Sequence, residues 1–247
     1  IGCQHKCEYC YADFMKRFTG HKEKWGEFID IKQNAPDLIK CNGKYTGKKI
    51  LFSSVTDPYQ PIESKYQITR NILKQLLDEN PTIEILTKAG LVVRDIDIIK
   101  QFSNATVGVS LSTLDKKLSG DLECFASHPN ARLNALKKCK ENGINTYVFI
   151  SPILPYITDI EEIINTSKDY ADYFIFENLN LTKNKLNKIL PFIRRNRPEL
   201  EEKYKDIYTS KFDPHNYWVR LKEEIINTCK KHQKTSKIFF HHGGFKK

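Results

Sequence analysis

The chain holds one methionine and two tryptophans, and no apolar run reaches the length of about 18 residues that a spanning helix needs. A membrane-embedded protein is therefore not expected. The opening residues, IGCQHKCEYC, are polar and cysteine-rich, which excludes a secretory signal. They also lack an initiating methionine, so the chain is expected to be part of a longer protein. No linker, internal repeat or low-complexity segment interrupts it. One domain over 1–247 is expected, with a core over about 1–180 and an extension over about 181–247. At 247 residues and 40% hydrophobic content, a single α/β barrel is a normal outcome. There is no disulfide framework either. Three of the seven cysteines fall at 3, 7 and 10, while Cys41, Cys124, Cys139 and Cys229 stand alone. This pattern predicts a reducing, cytoplasmic setting with one metal site. Acidic residues are in deficit: 30 against 40 basic ones, a formal charge of +10. Such a surface attracts polyanions, so nucleic acid is a candidate partner; solvated surface lysines are the alternative.

What is present alternates. Short β-branched and aromatic runs at 48–55, 82–88, 105–112, 145–154 and 172–179 are separated by amphipathic stretches at about 62–79, 91–102, 129–142, 159–170, 182–197 and 216–233. Nearly continuous apolar strands alternating with helices predict βαβ units and a parallel sheet, hence an α/β fold of the partial (β/α)6 TIM-type barrel kind. A further strand is expected ahead of Cys3, upstream of residue 1, and the run at 236–242 is a candidate closing strand. Asn80-Pro81 predicts a helix end and Gly90 a turn. Asn142-Gly143 predicts a helix stop, and Thr158 with Glu161 a capping box. In such arrays chemistry sits at the C-terminal strand ends. Those ends carry Ser53, Ser54, Thr56 and Asp57, then Lys88, Ser110 and Ser112, Ser151, and Glu177 with Asn178.

Cys3, Cys7 and Cys10 are spaced C-x3-C-x2-C. Thiolates suit iron–sulfur clusters, and three ligands leave one iron of a four-iron cluster open to a further chelate. Structural zinc is the competing reading. It asks for a fourth ligand, with His5 or the distant Cys41 as candidates. His241 and His242 are adjacent on a predicted strand and point to opposite faces, which argues against a shared metal.

This motif, with Tyr9 just before the last cysteine, resembles the signature of the radical SAM superfamily. GCQHKCEYCYA followed by SSVTDPYQPIE, VSLST, ASHPNARLNALKKCKENGI and ISPILPYITD resembles the spore photoproduct lyase-related branch, over about residues 1–180. The resemblance implies a [4Fe–4S] cluster held by Cys3, Cys7 and Cys10, and S-adenosylmethionine chelated at the open iron. It also implies a flavodoxin- or ferredoxin-like reductant and lyase-type radical chemistry on nucleic acid or a nucleotide. It places Tyr9 near the adenine, and Ser54, Thr56 and Asp57 where the superfamily holds the amino group. Ser110 and Ser112 fall toward the ribose, Lys88 and Arg132 toward the carboxylate, and Pro152 and Ile153 against the adenine.

One departure stands out. Spore photoproduct lyase has a hydrogen-donating cysteine close before its Ser/Thr-Asp segment, whereas residues 52–57 here read FSSVTD. A serine O–H bond is too strong to replace a thiol, so Cys124 becomes the candidate donor. A radical SAM enzyme acting on a peptide, protein or small metabolite is the second reading, and a non-catalytic metal-stabilised binding protein the third. The sequence assigns no oligomeric state.

Overall fold

The computed structural model describes residues 1–181, 183–209 and 217–241. Six strands form where the apolar runs predict them: β1 (Lys49–Phe52), β2 (Thr82–Thr87), β3 (Ala105–Ser110), β4 (Asn145–Ile153), β5 (Tyr173–Asn178) and β6 (Thr235–Phe239). They make one sheet in the order β1-β2-β3-β4-β5-β6, and each neighbouring pair is parallel. β1 and β6 are its edges, so β6 extends the sheet without closing it. The result is an open, partial barrel. The strand expected ahead of Cys3 falls outside the chain. Among the described residues no helix is long and apolar enough to cross a membrane.

The helices are α1 (Glu63–Tyr66), α2 (Ile68–Leu76), α3 (Ile96–Ile99), α4 (Lys116–Leu122), α5 (Pro129–Glu141), α6 (Ile160–Ser167), α7 (Lys183–Asn196), α8 (Glu201–Thr209) and α9 (Tyr217–Lys231). The stop at Asn142-Gly143 forms as predicted, with Gly143 at φ +76°. Three expectations need correction. The helix expected over 62–79 breaks at Gln67, which is left-handed at φ +51°. Gly90 does not sit in a turn but opens a 3-10 helix, Gly90–Asp95. There the fully buried Asp95 accepts hydrogen bonds from both Arg70 and Arg94, which pins a tighter backbone than an α-helix. The cap of α6 is Asp159 rather than Thr158, because the Asp159 carboxylate accepts from Glu162 N at 2.8 Å. The Thr158 hydroxyl instead accepts from Leu154 N and donates to Ser112 O.

Strand alternation decides which side is core. Along β2, Ile83 and Ile85 are fully buried with Leu73 and Leu76 of α2, Ile99 of α3 and Ala135 of α5. Each such side chain contributes about 1.5–3 kcal/mol of burial. Glu84 and Leu86 occupy the opposite face. On that face Tyr147 of β4 lies over Gly108 of β3, stacks on Tyr173 of β5 with centroids 5.1 Å apart, and donates to Glu84 Oε1 at 3.3 Å. A Cβ at position 108 would meet the Tyr147 ring at 2.2–2.5 Å, so glycine is required there by space. Gly108→Ala is expected to cost roughly 1–3 kcal/mol by overpacking. Urea unfolding measures this, and a mutant as stable as the parent would contradict the Tyr147–Gly108 contact.

Candidate metal and cofactor site

Residues 1–10 form a loop stitched along both sides. On one side Gln4 N donates to Gln60 Oε1 at 2.9 Å, and Ile62 N donates to Gln4 Oε1 at 2.7 Å. Thr56 Oγ1 donates to Gly2 O at 2.6 Å. Gly2 has φ +103°, and a Cβ there would lie 2.5 Å from Phe28 O, so a side chain is excluded twice over. On the other side Cys7 forms an antiparallel bridge with Glu123, Glu8 N donates to Leu122 O at 2.9 Å, and Phe125 N donates to His5 O at 3.3 Å. The loop is thus clamped between the segment after β1 and the end of α4.

The three predicted cysteines come together. Burial pushes the Cys3 thiol up to about 11, with the Asp57 charge and the Cys10 sulfur adding to it and backbone N–H groups of His5 and Asp57 opposing. Cys7 is pushed well above the ordinary thiol value, first by burial, then by Glu123, with Cys10 and Cys3 also contributing. Thiols raised in this way, as at Cys3 and Cys7, ionise readily only when cationic metal compensates the charge. Among the described residues no three His, Cys, Asp or Glu side chains converge on a point that one ion would fill. Three thiols in one loop are a donor set that suits iron–sulfur ligation. Neither zinc candidate completes a tetrad. Cys41 is exposed and donates to Gln75 O. His5 is 1% exposed with both ring nitrogens lacking a hydrogen-bond partner, Nδ1 standing 3.5 Å from Asp57 Oδ2. Burial outweighs the pull of that carboxylate and lowers the His5 pKa, so the imidazole is neutral.

The residues expected around S-adenosylmethionine also gather here, each with protein partners. Asp57 is buried and accepts from Tyr59 N at 2.8 Å, Thr87 Oγ1 at 2.6 Å and Lys88 N at 2.8 Å. Lys88 Nζ donates to Ser110 Oγ at 2.9 Å and stands 5.7 Å from the Tyr9 ring centroid. The hydroxyls of Ser110 and Ser112 both donate to Ser151 O. Ser54 is exposed, and its carbonyl accepts from Tyr11 OH. Pro152 is buried, and Ile153 is 1% exposed within the apolar cluster that includes Ile160 and Phe176. Cys124 is exposed beside Glu123, in the turn after α4. His241 Nε2 lies 3.2 Å from Glu177 Oε1, and His242 is outside the described residues. Trp218 is 2% exposed and packs against Tyr208, Tyr217 and Phe240 as core.

Arg132 has a different setting from the one expected. It is 1% exposed, and its guanidinium donates to Ser127 O at 2.7 Å, Ser110 O at 2.8 Å and the Glu123 carboxylate. Tyr9 OH donates to the other Glu123 oxygen, and Lys88 Nζ lies 4.0 Å from it. Glu123 therefore holds Tyr9, Arg132 and Lys88 at once. Sequence reasoning missed it, and its only signal is an acid embedded between Leu122 and Cys124-Phe125. Burial alone would raise the Glu123 pKa, but Arg132, Lys88 and the Tyr9 hydroxyl together hold it below the ordinary carboxylate value.

Arg132→Met should destabilise by about 3–5 kcal/mol, because it strands a buried carboxylate. The pair Glu123→Leu with Arg132→Met should recover most of that loss. Since the folded-state pKa of Glu123 is depressed, its stabilisation is present above the ordinary carboxylate range and fades as pH falls through the lowered folded value. Urea unfolding of the single and paired variants between neutral and acid pH checks both statements. A single variant with parental stability at neutral pH contradicts the network.

With this geometry in place, comparison with known proteins becomes informative. The Radical SAM superfamily model matches residues 1–169. An uncharacterised protein of Methanocaldococcus jannaschii is 42% identical over 231 residues, covering 94% of this chain and 84% of that protein. The fold is similar to spore photoproduct lyase complexed with dinucleoside spore photoproduct (TM-score 0.61, 13% identity, 98% of this chain and 75% of that one). It is also similar to Streptococcus suis SuiB bound to precursor peptide SuiA (TM-score 0.56, 17% identity, 96% of this chain). The chain spans 46% of that SuiB chain. The family match over residues 1–169, and the close archaeal relative, show that the chain belongs to the radical SAM superfamily.

Proposed function

We propose that the chain is an enzyme that holds a [4Fe–4S] cluster on Cys3, Cys7 and Cys10 and uses S-adenosylmethionine for radical chemistry on nucleic acid or a nucleotide. The observation that carries this reading is that Cys3, Cys7 and Cys10 lie in one loop clamped on both sides, with Cys10 near enough to act on both Cys3 and Cys7, beside Asp57, Lys88, Ser110 and Ser112. Such a cluster, held by Cys3, Cys7 and Cys10 and reduced by a flavodoxin- or ferredoxin-like partner, would supply one electron for reductive cleavage of S-adenosylmethionine to methionine and a 5′-deoxyadenosyl group able to take hydrogen from substrate. The protein's part is to bind, orient and exclude water.

Lys88 is the cation for the S-adenosylmethionine carboxylate in this reading, since its ammonium projects between Ser110 and Tyr9. Arg132 acts one step back, fixing Tyr9 through Glu123. Thr56 and Asp57 fix the loop and the backbone of Lys88, which leaves their contact with the amino group to be tested in the bound state. A route that needs a thiol donor just before Thr56-Asp57 has none here, because the exposed residue at that place is Ser54. Cys124 is the thiol to test in its stead.

Two features support a nucleic-acid substrate over a peptide. The chain carries a net +10. A 3-10 helix, Tyr11–Phe18, begins directly after Cys10 and exposes Tyr11, Phe14 and Phe18, with the Arg17 guanidinium 5.5 and 4.6 Å from the two phenyl centroids. Aromatic rings interleaved with a cation make a surface on which bases stack.

Anaerobic reconstitution followed by reduction with S-adenosylmethionine is expected to release 5′-deoxyadenosine. Serine at positions 3, 7 or 10 should abolish both iron content and release. Parent protein that binds zinc and yields no 5′-deoxyadenosine refutes the enzyme reading. A labelled single-stranded oligonucleotide should bind with an affinity that falls steeply with salt. Phe18→Ala should weaken that binding by about 1–3 kcal/mol. Salt-insensitive binding that ignores Phe18 would move the substrate to the peptide or small-metabolite class.

A further inference from the structure

The three cluster cysteines are not equivalent in their surroundings. Backbone N–H groups of His5 and Asp57 favour the charged form of Cys3, whereas Glu123 stands by Cys7 as a negative neighbour. Cys10 has a side-chain donor: the Trp25 indole N–H points at its sulfur, with Nε1 3.2 Å from Sγ. Indole nitrogen donates and never accepts, so the direction of this bond is fixed.

The segment that carries Trp25 is built against the cluster loop. Asp30 N donates to Ile1 O at 2.9 Å, Phe28 O lies against Gly2, and Lys6 pairs with Glu27 at 3.1 Å. Trp25 itself packs edge-on to Phe28, centroids 5.9 Å apart, and Phe28 in turn stacks on His21 at 4.0 Å. The Phe28 edge and the Cys10 sulfur thus set the orientation of the indole, with its N–H on the sulfur.

We propose that Trp25 is a positioning residue that raises the reduction potential of the cluster through its N–H bond to the Cys10 sulfur. This rests on the cluster assignment above. Adding one electron increases the negative charge on the cluster and its ligand sulfurs. A donor aimed at one of those sulfurs stabilises the reduced form more than the oxidised form. The same contact in the metal-free protein only satisfies the indole, so packing alone predicts no effect on potential.

The test is a potentiometric titration, followed by electron paramagnetic resonance, on the anaerobically reconstituted full chain. Trp25→Phe keeps an aromatic ring beside Phe28 and removes the donor. Its midpoint should fall, with the reduced-to-oxidised ratio at fixed potential dropping up to about tenfold, or about 59 mV for one electron. If Trp25→Phe fails to retain iron, incorporation of benzothienylalanine at position 25 replaces N–H by sulfur at nearly the same shape and decides the matter. A midpoint unchanged in the variant that retains iron overturns the proposal while the cluster assignment stands. Parent protein with no iron–sulfur signal overturns the cluster assignment itself, and this inference with it.

Discussion

The thiols of Cys3 and Cys7 are costly to ionise where they stand, and the rest of the site follows from that constraint. Burial and mutual repulsion favour the neutral thiols. The geometry must therefore be imposed by the backbone before metal arrives, since the sulfurs do not seek one another. The loop is held by bonds to Gln60 and Ile62 on one flank and to Leu122 and Glu123 on the other. Neither flank is a neighbour in sequence. The fold of the parallel sheet has to be in place before the metal site exists, which makes cluster binding and tertiary structure thermodynamically linked.

Much of this was legible in the residues. Five near-continuous apolar runs, and a sixth at 236–242, each became a strand; the central ones, such as β3 and β4, are buried nearly throughout, which is why their signal is in composition. The cysteine spacing picked out one loop, and Asp57, Lys88, Ser110 and Ser112, named from their strand-end positions, are joined by hydrogen bonds to one another and to neighbouring strand ends. What stayed hidden depends on contacts distant in sequence. Glu123 meets Tyr9 across 114 positions, and Trp25 meets Cys10 through a loop with no periodic pattern. Local signals also misled where two residues competed for one role. Thr158 looked like a cap, but Asp159 is the cap and Thr158 is drawn to Ser112 instead.

Arg132 shows how a residue type can be read correctly while a partner for it lies elsewhere in the chain. Its fork was expected to meet a carboxylate, and it does, but the carboxylate belongs to Glu123. A guanidinium at 1% exposure without that partner would carry an uncompensated charge, and Glu123 at 2% would do the same without Arg132. The two are present as a unit, and the unit's free valences hold Tyr9 and the Ser110 carbonyl.

That unit also explains how an open sheet can present a rigid site. Among the described residues β1 and β6 each pair on one side only, so no barrel closure there holds the strand ends. Cross-links at the ends take its place. Ser151 O receives the hydroxyls of Ser110 and Ser112, Lys88 Nζ reaches Ser110, and Asp57 ties the end of β1 to Thr87 and Lys88 at the end of β2. The polar residues that first mark these strand ends as candidates for ligand contact therefore also hold one another in place. A ligand entering the site must either use the lone pairs and donors these bonds leave free or exchange for them. Substitution at Ser110 or Asp57 thus acts on strand spacing and on binding together, whereas Lys88, whose ammonium is joined to the network at its tip, is the residue where the two effects separate.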